Sequence, residues 1–397
     1  MKNSRRDFLK TAAAATAASA IPGALMLGAR AANAADPIKV GILHSLTGTI
    51  AIAEAHVVDA EKLAIDEINA AGGVMGRPIS AIVEDGASDW PTFAEKAQKL
   101  VESDKVAAVF GCYTSASRKA VLPVFERYNG LLYYPTYYEG LEMSKNIMYT
   151  GQEATQQTIP AVNWLAKNKG KKFYLIGSDY IWPRTTNRIA KSAIAKAGGT
   201  VVGEDYFPLG ATEFSSVISK IKAAKPDVIL STIVGGSNVA FYKQLNSVGI
   251  TGKNQAIMAL AVTEEEAIGI GTDNLVGVYS CMGYFQSEKN PQNEKFVKAF
   301  KAKYGQDRVL GDTLEAAYTA VYLWKLGVEK AQSTDVAKVV AASSGLGWSA
   351  PEGDVHFHVS NHHLWKHSLI GMFKPDGQVD IIYESPLIEP NPFPKLG

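Results

Sequence analysis

Beyond residue 34 the chain has no stretch long and apolar enough to span a membrane. Cysteine is almost missing: Cys112 and Cys281 are the only two in 397 residues. Two distant cysteines do not make a disulfide framework, and they are expected to stay buried and apart. Excess charge is lacking too. Residues 1–34 carry five basic side chains (Lys2, Arg5, Arg6, Lys10, Arg30) and Asp7; the remainder holds 35 basic against 38 acidic residues, a net of −3. That balance argues against nucleic acid or an anionic membrane surface as partner. Catalytic fingerprints are absent as well. There is no G-x-S-x-G elbow, no P-loop and no G-x-G-x-x-G turn. Cys112 and Ser115 have no motif histidine beside them, so no catalytic residue is assigned. A hydrolase of small amides is kept as a rival, and no cofactor is implied.

What is there begins at Ser4-Arg5-Arg6-Asp7-Phe8-Leu9-Lys10, a twin-arginine pattern. An Ala-rich stretch follows from Thr11 to Leu27, then Ala32-Asn33-Ala34 at the place a signal peptidase reads. Pro22 and Gly23 interrupt the apolar run, which excludes a retained anchor. Residues 1–34 are therefore expected to be an export signal, and the mature protein periplasmic.

The remaining 363 residues fit about two domains. Short β-rich runs alternate with amphipathic helical patterns. Ile38–Leu43 reads as a strand, and the next helix carries Val57, Val58, Leu63, Ala64 and Ile68 on one side. The alternation restarts near Ile159 and runs to Cys281. Regular strand–helix alternation predicts an α/β fold with parallel sheets covered by helices on both faces. Two blocks predict two such lobes. The end differs: Val355–His358, Ser368–Phe373 and Val379–Tyr383 read as antiparallel strands, with Pro375-Asp376-Gly377 as a hairpin turn.

Ligands of open α/β sheets sit beyond the carboxyl ends of the strands. Three segments put distinctive chemistry there. Cys112-Tyr113-Thr114-Ser115-Ala116-Ser117 offers hydroxyls at a helix start. Tyr133-Tyr134-Pro135-Thr136-Tyr137-Tyr138-Glu139-Gly140 is dense in tyrosine. Ser178-Asp179-Tyr180-Ile181-Trp182-Pro183-Arg184 follows a second-lobe strand. Aromatic walls with a few hydroxyls suit a small, planar, polar, uncharged molecule. Capping hydroxyls and half-buried tyrosines are the plainer alternative.

These segments, with Gly72-Gly73-Val74-Met75-Gly76-Arg77-Pro78, Glu264-Glu265-Glu266 and Glu315-Ala316-Ala317-Tyr318, resemble the urea and short-chain-amide binding proteins of ABC importers. That subfamily belongs to the branched-chain amino acid binding group, and the resemblance covers essentially the whole mature chain. It implies a type I periplasmic binding fold: two Rossmann-like, parallel-sheet lobes joined by a three-segment hinge and closing on the ligand. The expected division is 36–151 plus 284–352 for the first lobe and 152–283 plus 353–390 for the second. The expected partners are a small neutral solute and an inner-membrane permease driven by an ATPase, with the receptor monomeric. The resemblance places Tyr113, Thr114, Ser115, Tyr134, Thr136 and Tyr137 on one side of the ligand and Tyr180 and Trp182 on the other. Glu139 matches a motif position without a defined role. Thr136 and Tyr137 depart from the urea carriers, which have Val and Gln there. Gly236 departs too, standing where those carriers have an acid, which weakens a guanidine-like cation as ligand. A branched-chain amino acid remains the other candidate of the same fold.

Five of the seven histidines lie between Val355 and His367. His356 and His358 share a strand face, but no cysteine or carboxylate set accompanies them. They are expected to form a polar face on an edge strand, and no metal site is assigned.

Overall fold

The computed structural model describes residues 36–396; the export signal lies outside them. Strands β1 (Ile38–His44), β2 (Ile79–Asp85), β3 (Val109–Gly111), β4 (Leu132–Tyr134) and β5 (Ile147–Tyr149) form one parallel sheet in the order β2-β1-β3-β4-β5. β6 (Lys172–Ser178), β7 (Thr200–Phe207), β8 (Val228–Thr232), β9 (Ala256–Ala259) and β10 (Tyr279–Met282) form a second in the order β7-β6-β8-β9-β10. The orders are the same, so the chain builds one topology twice. β11 (Gly347–Ala350), β12 (Gly353–Phe357) and β13 (Leu364–Trp365) make a small antiparallel sheet. β14 (Leu369–Phe373) and β15 (Val379–Glu384) join the second sheet antiparallel, beside β10.

Alternation along the strands sends side chains to two faces. In β1, Val40 and Ile42 enter a core shared with Phe296, Phe300 and Trp324, while Leu43 faces another with Phe93, Leu100 and Phe125. Helix Val57–Ala70 buries the apolar stripe read from its sequence against helix Asp312–Ala331. Helix Ser115–Tyr128 runs on through Pro123. Helix Glu264–Ile270 escaped the sequence pattern. Its three leading glutamates hide a capping box in which Thr263 and Glu266 satisfy each other's backbone groups.

One boundary needs correction. Residues 353–365 were expected in the second lobe, but Val355, Phe357 and Leu364 pack with Val40, Ile42 and Trp324 of the first core. Their alternating pattern gave strands correctly and said nothing about which apolar face would receive them. Only 369–384 join the second sheet. The chain thus passes between the sheets three times, near 150–157, 283–286 and 366–368. Buried side chains lace the crossings together. Lys366 Nζ donates to the Thr150 carbonyl at 2.9 Å and to Glu352 at 2.7 Å. Gln152 donates to the His367 carbonyl, and Asp312 accepts from the Gly283 and Tyr284 amides.

The histidine tract is also corrected. His363 is not on a polar face: it is buried and stacked on Tyr149 at 4.2 Å, and burial pushes it down to about 3. His356 stacks on Trp365, and His358 meets Glu389. Among the described residues no group of three or more His, Cys, Asp or Glu could hold a metal, and no helix is long and apolar enough to cross a membrane. Cys112 and Cys281 are both buried and free.

At the end of β1, His44 lies between Glu54 at 3.0 Å and Glu61 at 2.9 Å, all three buried. Burial opposes charge on the ring, but the two carboxylates outweigh it and lift His44 from 6.5 to about 10. The charged ring therefore stabilises the fold fully below pH 6.5, and the contribution is lost as pH rises through about 10. His44→Gln should cost about 3 kcal/mol at neutral pH, since it strands two buried carboxylates. In denaturant unfolding the gap from wild type should narrow toward about pH 10; a gap that stays constant would overturn this role.

Candidate functional site

The carboxyl ends of the two sheets face one another, and the loops leaving β3, β4, β6 and β8 enclose a cavity. Tyr113, Ser115, Thr136, Tyr137, Tyr180, Trp182 and Val234 line it. It holds about 180 Å³ of empty space, so the cleft is narrow.

Local geometry delivers each wall. After β3 the chain turns through Gly111 (φ +149) and Cys112 (φ +62). A Cβ on Gly111 would lie 2.1 Å from the Leu43 carbonyl oxygen, so only glycine allows β3 to end this close to β1. The left-handed Cys112 then aims Tyr113 at the cleft and starts the helix at Ser115. Thr114 does not line the cavity: it is the N-cap, accepting from Ser117 N at 3.0 Å. Tyr134 is likewise set back, donating to the Tyr113 carbonyl at 2.6 Å and lying under the Arg118 guanidinium. Tyr133 faces the other core against Phe110, and Tyr138 stacks on Tyr149. Of the tyrosines in that segment, Tyr137 alone reaches the cavity. Its ring meets Tyr113 at 6.2 Å on one side and Trp182 at 5.6 Å on the other. Trp182 is buried, and its Nε1 has no hydrogen-bond partner.

From the second sheet, Val234 and Gly235 approach the loop after β1. Gly236 N donates to the Thr49 carbonyl at 3.4 Å. Gly235 has φ +67, and a Cβ there would meet the same oxygen at 2.8 Å. Gly236, which departs from the urea carriers, thus lies with Gly235 at a contact between the two halves of the cleft.

A periplasmic binding protein domain model matches residues 38–397, and a twin-arginine translocation signal model matches residues 2–22. The chain belongs to the periplasmic binding protein domain family. The binding protein is 26% identical to "Leu/Ile/Val-binding protein homolog 7" of Brucella melitensis over 91% of its own length and 94% of that relative. A solute-binding protein of an ABC transporter from R. palustris, solved with 4-hydroxybenzoate, superposes with a TM-score of 0.80 at 24% identity, covering 89% of this chain and 98% of that one. A leucine binding protein from Thermotoga maritima gives 0.79 at 21%, covering 87% and 98%. The protein is therefore an exported periplasmic solute-binding protein, and its relatives are binding proteins rather than enzymes.

Behind the cavity wall of this binding protein lies a charged layer that the sequence reading left without a role. Arg118 has no exposed surface. Its Nε donates to Glu142 at 2.7 Å, Nη1 to Ser115 Oγ at 3.1 Å and Nη2 to Glu139 at 3.4 Å. Ser115 Oγ in turn donates to Glu139 at 2.5 Å. Although burial opposes it, Arg118 and Lys119 hold Glu142 down to about 2. Glu266 is a second unassigned group, accepting from the Tyr113 hydroxyl at 3.1 Å. The signal for Arg118 was its place one helical turn after Ser115, with Glu139 and Glu142 also three apart. Arg118→Met should lower stability by about 3–5 kcal/mol, because two buried carboxylates lose their partner. Chemical unfolding measures this; a loss under about 1 kcal/mol would mean the ions do not hold the wall.

Proposed function

We propose that this receptor captures urea or a short-chain aliphatic amide between its two sheets. The hydrogen-bond inventory of the cavity wall carries the reading. Ser115 Oγ gives its proton to Glu139 and accepts from Arg118, which leaves it one lone pair and nothing to donate. Thr136 Oγ1 donates to the Cys112 carbonyl at 3.4 Å, so it too faces the cavity as an acceptor. Trp182 Nε1–H is a buried donor awaiting an oxygen. A planar molecule with N–H groups and one carbonyl oxygen answers this set, with the rings of Tyr137 and Trp182 excluding water. A carboxylate would set its lone pairs against those of Ser115 and Thr136, at the cost of unsatisfied buried groups.

The relatives favour a second reading, a branched-chain amino acid, and one structural neighbour was solved with 4-hydroxybenzoate. An amino acid brings an ammonium that needs a charged partner, and Glu139 and Glu266, the carboxylates bonded to wall residues, already serve Ser115 and Tyr113.

Calorimetry with urea, formamide, acetamide, leucine and 4-hydroxybenzoate tests the reading. Urea or an amide should bind, and the other two should not. Ser115→Ala and Thr136→Ala should each weaken binding by about 1–3 kcal/mol, and Trp182→Ala should weaken it through lost enclosure. Leucine binding without amide or urea binding would replace this reading with the second.

A further inference from the structure

We infer that Glu266, hidden behind the cavity wall, sets ligand specificity by fixing the direction in which the Tyr113 and Tyr137 hydroxyls pass their protons. The inference rests on the amide reading above. Three groups stand in a row: Glu266 Oε1, Tyr113 Oη at 3.1 Å, and Tyr137 Oη a further 2.9 Å on. Tyr113 and Tyr137 both line the cavity, and Tyr137 ends the row. A phenol has one proton to give. The Glu266 carboxylate can only accept, so it takes the Tyr113 proton. Tyr113 then accepts from Tyr137, and Tyr137 is left facing the cavity with a lone pair alone. It joins Ser115 and Thr136 as a third acceptor, selecting an N–H on the ligand and refusing a bare oxygen.

The orientation of Glu266 is settled by the other end of its carboxylate. Oε2 accepts from Thr263 N at 2.6 Å in the capping box of helix Glu264–Ile270, and the single proton of Thr263 Oγ1 is shared between this oxygen and Glu265 Oε2, each at 2.8 Å. A proton on Glu266 is thereby confined to Oε1, where it would donate to Tyr113. Tyr113 would then donate to Tyr137, and Tyr137 would donate into the cavity. Reversing one proton at Glu266 reverses the polarity of a wall it backs without lining the cavity.

Glu266→Gln imposes the reversed state without changing shape. The Thr263 amide demands the glutamine oxygen, so the glutamine NH2 faces Tyr113 and donates to it. Acetamide and acetate are the probes, being nearly the same size and differing at one N–H. By calorimetry, E266Q should move the ratio of acetamide to acetate affinity at least tenfold toward acetate. Loss of the Glu266 charge also favours an anion, so a second variant separates the effects. Tyr113→Phe cuts the row, and in the E266Q/Y113F pair the relay part of the shift should vanish while a charge effect would persist.

A pH series gives the same contrast in the unmodified protein. Burial, opposed by Thr263, pushes Glu266 up to about 7. The groups facing it are Glu265 on its own helix, Tyr113 and Tyr137 from the first half and Tyr242 from the second; one step further lie Glu264 and Arg308 beside Glu265, and Tyr180 and Asp312 beside Tyr137. Acetamide affinity should fall as pH drops through about 7 in wild type and stay flat there in E266Q. If wild type binds neither urea nor any amide, the proposed function fails and takes this inference with it. If it binds them but the E266Q ratio is unchanged, or shifts equally with Y113F present, the relay alone is overturned.

Discussion

A guanidinium with no exposed surface dictates how one wall of the cleft is built. Arg118 cannot lose its charge, so burying it requires carboxylates, and Glu139 and Glu142 supply them from the chain that follows β4. Those two pairings pin a loop to the helix that starts at Ser115. They also stack Tyr134 and Tyr138 on the guanidinium faces, at 4.8 and 4.4 Å. The position of Tyr137, between Tyr134 and Glu139, follows from what is held on either side of it. The buried ions are thus a scaffold for an uncharged site.

The same separation of duties recurs elsewhere. Charge sits one layer behind the cavity, as at Glu266, and at the hinge, where Lys366 joins Thr150 to Glu352. The groups that face the cavity are hydroxyls, an indole and an isopropyl group. A receptor must release its solute to a permease, and neutral hydrogen bonds hold more loosely than an enclosed ion pair. Around this wall the two sheets repeat one strand order, so each half brings its strand ends to the same cleft.

Much of the fold was legible in the chain. Strand and helix have different apolar periods, and those periods are local, so β1, the helix after it and the restart near Ile159 could be read directly. The twin-arginine leader and the three site segments were legible for the same reason. Tyr113, Ser115, Thr136, Tyr137, Tyr180 and Trp182 do line one cavity, while Thr114 and Tyr134 serve as cap and backing. Helix Glu264–Ile270 was missed because an acidic run looks like solvated surface until its partners are known. His363 was missed likewise, its burial depending on Tyr138 and Tyr149 from far along the chain.

The sequence by itself determined an exported, twice-repeated α/β receptor and the stretches that line its cavity, since those follow from patterns within a few residues of one another. Only the tertiary structure decided which face receives β12, which tyrosine of the cluster reaches the cavity, and why Gly235 has no side chain. It also decided the hydrogen-bond polarity of the wall. A hydroxyl in a sequence is donor and acceptor alike; it becomes one or the other only when folding has placed a carboxylate, a guanidinium or a carbonyl beside it.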